Sequence, residues 1–368
     1  MTRSVDYTAL LMPVSRADIA AFKAELKASS RSRWYTAMLP TVFGVVVLVL
    51  IGIILLFVVG GFANQAISHV AQDPSPGTIG GLVLGLLGAA IPFLAIALVV
   101  RSLLGGKSWE RWLRLTRFAS ANSLEFTPQF GNPALPGAIF SQGHGRQSIN
   151  RLTSTAGRYL EIGNYRYKTG NGKEERTHDW GYLALRLDRA LPHMVLDSRA
   201  NNGLFGSSNL PAAFAKDQVL SLEGDFDSYF TLYCPRAYER DALYVFTPDL
   251  MALLIDNAAP FDVEIVDDWM FVYSARPFVS VDPALYQRLF HIVDTVGEKT
   301  VNQSDRYVDD KIGERIDPRT GQLAPSIIAP QGKRLRRGTS IGAIIIIAVV
   351  GGFVLLPQLL GMIGMVGR

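Results

Sequence analysis

Histidine and carboxylate are the side chains from which this sequence could build a hydrolytic or metal-dependent centre. The histidines are His69, His144, His178, His193 and His291. None stands in the His-x-x-x-His or Cys-x-x-Cys spacing that sets two ligands on one side of a metal. His144, His178 and His193 share a β-rich stretch in which a fold could bring them together. His178 is followed by Asp179, but neighbouring strand residues point to opposite faces and cannot easily share a task. Asp225 and Asp227 would lie on one side of an extended segment, and Asp262, Glu264, Asp267 and Asp268 form a second acidic group. Paired carboxylates can hold a divalent cation or move protons. They also serve as hairpin edges and helix caps. His178, His193, Asp225 and Asp227 are therefore the candidate catalytic residues of a membrane-tethered hydrolase or metal-dependent enzyme, set against a local structural part for each. The pieces Gly143-His144-Gly145 and Gly203-Leu204-Phe205-Gly206 lack the Lys-Ser/Thr of a P-loop and the dinucleotide fingerprint, and no Gly-x-Ser-x-Gly elbow occurs. No metal site and no cofactor is expected.

Three apolar runs dominate the elements around those residues: 39–62, 78–100, and 341–356 with an extension to 366. None contains Asp, Glu, Lys or Arg. Crossing a hydrocarbon core of about 30 Å takes roughly 20 apolar residues in a helix that satisfies its own backbone. The expectation is an integral membrane protein with a polar domain between the second and third spans. The first run is too long, and begins too late, for a cleavable signal h-region. Uncharged spans argue against an ion or substrate path.

Basic residues cluster at the ends of the runs. Lys23, Lys27, Arg31 and Arg33 precede the first, the segment 63–77 between the first two has neither Lys nor Arg, and Arg101, Lys107, Arg111, Arg114 and Arg117 follow the second. Lys333, Arg334, Arg336 and Arg337 precede the third. Positive flanks stay cytoplasmic. The expected location is the cell inner membrane, multi-pass, with the N-terminus and large domain cytoplasmic and the C-terminus extracytoplasmic. A net charge of +4 on 368 residues is no nucleic-acid signature. The expected partners are the lipid bilayer and, through the polar domain, a second copy or another protein.

Residues 1–35 are expected to form a cytosolic segment with an amphipathic helix opened by Ser15 and Asp18. Residues 36–104 hold two transmembrane helices joined by the external loop 63–77, and 107–122 an interfacial helix. A cytosolic domain occupies 127–313, a flexible linker 314–338 and a third transmembrane helix 339–366. Trp34 and Tyr35 fall at the inner edge of the first span, where amphipathic rings prefer to lie. In the interfacial helix Trp109 and Trp112 share an arc opposite Arg111, Arg114 and Arg117, which suits a headgroup boundary. The alternative is a helix docked on the soluble domain. Gly77, Gly81, Gly85 and Ala89 make a flat stripe for close helix packing, against the first span with Gly44, Gly52 and Gly60 or against another copy. Cys234 is the only cysteine, so no disulfide can form within the chain. It reads as a small apolar strand residue.

The polar domain reads as α+β. Strands are expected at 158–168 and 175–187 around a Gly-Asn turn, then at 193–197, 218–222 and 229–234, with a hairpin over 263–274 turning at Asp267-Asp268. Helices are expected at 238–245 and 248–257, and a longer one from Asp282-Pro283. Strands first and helices after argue an antiparallel sheet with packed helices.

Residues 117–297 resemble a group of uncharacterised bacterial, mainly actinobacterial, membrane proteins in which two N-terminal spans precede a cytosolic domain of unknown function. The resemblance rests on Leu135-Pro136-Gly137-Ala138-Ile139-Phe140, Ile162-Gly163-Asn164-Tyr165, Glu223-Gly224-Asp225-Phe226, Phe230-Thr231-Leu232-Tyr233, the stretch from Ala242 to Met251, and Trp269. It implies a bacterial inner-membrane setting and no chemistry. The expected function is a cytosolic binding, sensing or scaffolding domain held at a membrane, with the tethered enzyme and an anionic-lipid-contacting module as alternatives.

Overall fold

A computed structural model describes residues 4–28, 39–72, 75–104, 107–202, 208–278, 281–312 and 326–338. The chain divides into two compact units, Met12–Arg114, and Met1–Leu11 together with Leu115–Arg368. Helices α1 (Thr8–Leu11), α2 (Arg16–Ala28), α3 (Leu39–Gln72), α4 (Pro76–Leu104) and α5 (Lys107–Ala121) precede the sheet.

In the first unit α2 begins where the sequence marks it. Asp18 N–H donates to Ser15 Oγ at 3.1 Å and Ser15 N–H donates back to Asp18 Oδ2 at 2.9 Å, a reciprocal cap. Helices α3 and α4 are long and apolar enough to cross a membrane, and only 6% and 0% of their most apolar windows is buried in the protein. The expected loop 63–77 is corrected in its bounds: α3 continues to Gln72 and α4 begins at Pro76. Residues 63–72 contain no proline, so nothing stops the helix. Gly81 and Gly85 have open space where a Cβ would point. Together with Val59, Phe62 and Ala66 of α3 they line an apolar cavity of about 410 Å³ instead of a tight seam. Trp34, Tyr35 and the third apolar run lie outside the described residues.

The second unit is an antiparallel sheet domain with helices, an α+β fold. Its strands are β1 (Leu124–Gly131), β2 (His144–Ser154), β3 (Leu160–Thr169), β4 (Arg176–Ser198), β5 (Val219–Leu220), β6 (Phe230–Tyr233) and β7 (Asp262–Ser274), in the order β1-β2-β3-β4-β6-β5 with β7 also paired to β4. β4 is the hub. It pairs with β3 through its first half, with β7 along most of its length and with β6 at its end. The strands expected at 175–187 and 193–197 are thus one element. The hairpin expected over 263–274 is also a single strand. Asp267 takes a left-handed φ of 52° and the β4 register slips opposite it, so the chain bends there instead of reversing.

Alternation along β4 separates two cores. Tyr182 and Ala184 face the cluster of Phe140, Tyr165, Phe271 and Tyr273. Leu185 faces the other way, where Gly297 comes so close that a Cβ would meet Leu185 Cδ2 at 2.8 Å. Helices α6 (Glu239–Val245) and α7 (Pro248–Leu253) lie between β6 and β7, and α8 (Pro283–Ile292) and α9 (Glu298–Ser304) follow β7. Asp282 caps α8 by accepting from Ala284 N–H at 3.0 Å. Within the sheet domain Phe118 of α5 packs on Tyr286 and Phe290 of α8, with ring centroids at 4.9 and 6.4 Å. This qualifies the interfacial reading of 107–122. In the part of α5 that belongs to this unit, Leu115, Phe118 and Ala119 are buried. Burial against packed rings removes that apolar surface from water without needing a bilayer.

Both ends of the domain reach beyond the expected 127–313. Near the N-terminus, Asp6 and Asn122 exchange hydrogen bonds of 2.8 and 2.9 Å. At the other end, residues 326–338 carry α10 (Pro330–Lys333) and are strapped to the sheet. Gln218 holds both backbone groups of Arg336 at 2.9 Å, Gly338 N–H donates to Ala213 O at 2.8 Å, and Arg334 forms a two-pronged pair with Asp267. The flexible linker expected over 314–338 is corrected over this half, because Leu335, Ala329 and Ile328 bury apolar surface that a free tether would leave in water. The loop from Asn132 to Phe140 closes the core from above. At Gly137 a Cβ would stand 2.0 Å from Tyr273 Oη and 3.1 Å from the Phe271 ring. Gly137→Ala is expected to cost about 3 kcal/mol through overpacking, read as a lower urea midpoint with an unchanged slope; a loss below 1 kcal/mol would count against this close approach.

Candidate functional site

One cleft lies on the sheet face beneath that loop. In register, Tyr159 of the β2–β3 turn, Arg186 of β4 and Trp269 of β7 form a row across three strands. The next row runs Glu161, Ala184, Phe271. Ala184 is fully buried in the core, and the cleft opens over Tyr159, Glu161, Arg186 and Trp269. Phe130, Pro133, Ala134, Leu135 and Arg151 complete a cleft of about 440 Å³.

Its floor is a polar network centred on Glu161, in which the buried Arg151 Nε has no partner. Glu161 is 1% exposed. It accepts from Arg151 Nη2 at 2.8 Å, from Tyr182 Oη at 2.5 Å and from Tyr159 Oη. Arg151 also donates to Tyr159 Oη at 3.0 Å and lies 4.6 Å from the Phe130 ring centre. Burial, with the Glu161 charge behind it, pushes the Tyr159 phenol up to about 12 and Tyr182 well above its ordinary range. Both phenols therefore stay protonated and act as donors. At the rim Arg186 pairs with Asp268 and stacks 4.8 Å from the Trp269 ring, which meets Tyr159 edge-on at 5.3 Å. Three donors, Arg151, Tyr159 and Tyr182, thus occupy the two Glu161 oxygens. The arrangement offers aromatic walls for a flat apolar group and two arginines for an anionic end.

The residues singled out from the sequence do not meet here. His178 stacks on Tyr167 at 4.7 Å and shares a 2.8 Å hydrogen bond with Thr169. His193 lies in a separate buried knot. Its Nε2 bonds Glu264 Oε1 at 2.8 Å and its Nδ1 accepts from Leu335 N–H at 2.9 Å, which fixes the neutral tautomer with Nε2 protonated. Glu264 also accepts from Tyr273 Oη and Ala138 N–H, each at 2.7 Å. Asp227 accepts from Ser221 Oγ and Leu222 N–H, ordering a local turn, and Asp225 precedes that turn at the surface. Arg166 holds Asp179 at 2.6 Å, on the face opposite His178. Among the described residues no group of three His, Cys, Asp or Glu is placed to hold a metal. His178 sits against its strand neighbours, His193 holds the strap and Asp227 orders a turn, the local structural parts set against catalysis for these residues. Burial pushes the Cys234 thiol up to about 12, so it stays protonated as a core residue. Arg151, Tyr159, Glu161 and Arg186 gave no sequence signal, since three of them stand singly in separate strands and Tyr159 lies in the turn before β3.

No family model matches this sequence, and no curated protein matches it. Among solved structures, the crystal structure of the mycobacterial trehalose monomycolate transport factor A, TtfA, aligns over 53% of this chain and 92% of that one, at 11% identity and a TM-score of 0.34. At that distance neither a shared fold nor a shared role follows.

Proposed function

We propose that this chain is an integral protein of a bacterial inner membrane whose sheet domain is a cytosolic ligand-binding module. The cleft over Glu161 is its recognition site. Anchoring is supported by the lipid-like exposure of α3 and α4, and orientation by the basic flanks with a segment free of Lys and Arg between those helices. The observation that carries the binding role is the Arg151–Glu161–Tyr159–Tyr182 network. Both Glu161 oxygens are paired before any ligand arrives, while Arg151 Nε stays buried without a partner, so the carboxylate is held in place and the walls stay open. Sensing or scaffolding would follow from occupancy of this cleft.

The ligand class is a flat apolar body with one anionic end. Adding 2-naphthoate at millimolar concentration to the full-length protein in lipid nanodiscs should raise the unfolding temperature of the sheet domain by about 2–4 °C, the shift that roughly 1 kcal/mol of binding gives a domain this size. Trp269→Ala should abolish the shift. Equal shifts in both proteins, or none in either, would reject the cleft as the site.

A further inference from the structure

Three distant stretches of sequence meet at the edge of the sheet where β5 lies. Asp217 pairs with both Arg236 and Arg336, and Arg236 Nε also donates to Asp217 O at 2.8 Å. Ala215 N–H donates to Arg336 O at 3.0 Å, and Phe214 bridges Arg337. Lys216, Arg236, Arg336 and Arg337 are all exposed there. Asp217 is the one carboxylate that pairs with them among the described residues, and neither Lys216 nor Arg337 enters an ion pair there. Beside them Val219 is 45% exposed on a two-residue edge strand.

Chain continuity says what this rim faces. Gly338 is fixed to Ala213 by its 2.8 Å hydrogen bond, and the third uncharged apolar run starts at Ile341. Three residues span at most about 10 Å. If that run enters a bilayer, the rim stands at its surface, within a Debye length of the headgroups.

We propose that the rim formed by Lys216, Arg236, Arg336 and Arg337 is a docking surface for anionic lipid headgroups, with Val219 directed at the interface. This rests on the membrane reading of the third run. The rim is assembled only by folding. Lys216 and Arg236 lie about a hundred residues or more from the basic cluster that precedes the run, and it is the strap that brings them to it. Lysine and arginine at such a surface each add attraction to acidic lipid, and one apolar side chain among them can enter the boundary layer.

The test uses full-length protein in nanodiscs of phosphatidylcholine alone or with phosphatidylglycerol. Cys234 is buried, so an introduced surface cysteine takes the fluorophore. A probe at Val219→Cys should be quenched about twofold more by headgroup-spin-labelled lipid when the acidic lipid is present, and Lys216→Glu with Arg337→Glu should erase that difference. A control probe at Lys173→Cys, at the far end of β4, should show neither effect. Like quenching at the two positions, or indifference to acidic lipid, overturns the proposal. A third probe at Ile345→Cys, read against acyl-chain nitroxide, separates the failures. Quenching there with none at Val219 rejects the rim and leaves the anchor standing. No quenching there rejects the membrane reading of that run and the proposal with it.

Discussion

Replacing Glu264 by alanine should destabilise the sheet domain by about 4 kcal/mol, enough to unfold many proteins of ordinary stability. The carboxylate is 1% exposed, and three groups lose their acceptor at once: His193 Nε2–H, Tyr273 O–H and Ala138 N–H. Each unsatisfied buried donor costs about 1–3 kcal/mol, and partial relaxation keeps the sum below the simple total. The same change loosens four parts of the fold together, because the partners belong to β4, β7, the loop over the core and, through His193, the strap at Leu335. Urea unfolding of the full-length protein in detergent, followed by near-ultraviolet circular dichroism, gives the number. His193→Gln, whose amide nitrogen can replace Nε2–H but cannot also accept from Leu335 N–H, should cost about half as much. A loss below 1 kcal/mol for Glu264→Ala would mean that water reaches the site and the knot is ornamental to stability.

That knot marks where the sequence was readable and where it was not. Local signals survived folding well. The Ser15–Asp18 cap, the Asp282 cap with Pro283 behind it, the Gly-Asn turn between β3 and β4 and the alternation of the strands all depend on near neighbours in the chain. What failed depended on distant ones. Asp267-Asp268 has the composition of a turn, but residues 262–266 and 269–274 both find partners along β4, and continuing the ladder satisfies more backbone groups than turning back. The strap reads as a linker because its value lies in Gln218, His193 and Asp267, between about 70 and 140 residues away. The cleft was invisible for the same reason: Arg151, Tyr159, Arg186 and Trp269 come together only through the β2–β3–β4–β7 register. Histidine drew attention because it often does chemistry, whereas here its two nitrogens serve as a donor and an acceptor inside a structural joint.

Asp262→Asn should stabilise the protein at pH 8 and leave it nearly unchanged at pH 4. Asp262 is fully buried, its Oδ1 accepts from Ser198 N–H at 2.8 Å and its Oδ2 has no partner. It stands beside Asp197, itself 3% exposed, where β4 and β7 run out of register partners. Burial first, and then the neighbouring Asp197 charge, pushes the Asp262 carboxyl up to about 7, while Ser198 N–H and the Asn201 amide pull the other way. Burial also lifts Asp197 to about 6, opposed by Ser208 and by the exposed Arg199. Because the folded value lies above the ordinary 3.8, the native protein holds a proton that the unfolded chain has already lost. Stability from this group is therefore greatest below about pH 4 and falls as pH rises to about 7, after which it is flat. Asp197 adds a smaller decline of the same sign, ending near pH 6. Asparagine carries no charge to desolvate, and its amide can donate toward the unpartnered Oδ1 of Asn201. The difference between variant and parent should therefore grow from near zero at pH 4 to roughly 2–4 kcal/mol at pH 8, the upper end being about three pKa units at 1.36 kcal/mol each. Urea midpoints at closely spaced pH values measure it directly. A variant less stable than the parent at pH 8, or a gap that does not change between pH 4 and pH 8, would mean that Asp262 is ionised in the native protein and that some other group neutralises the pair.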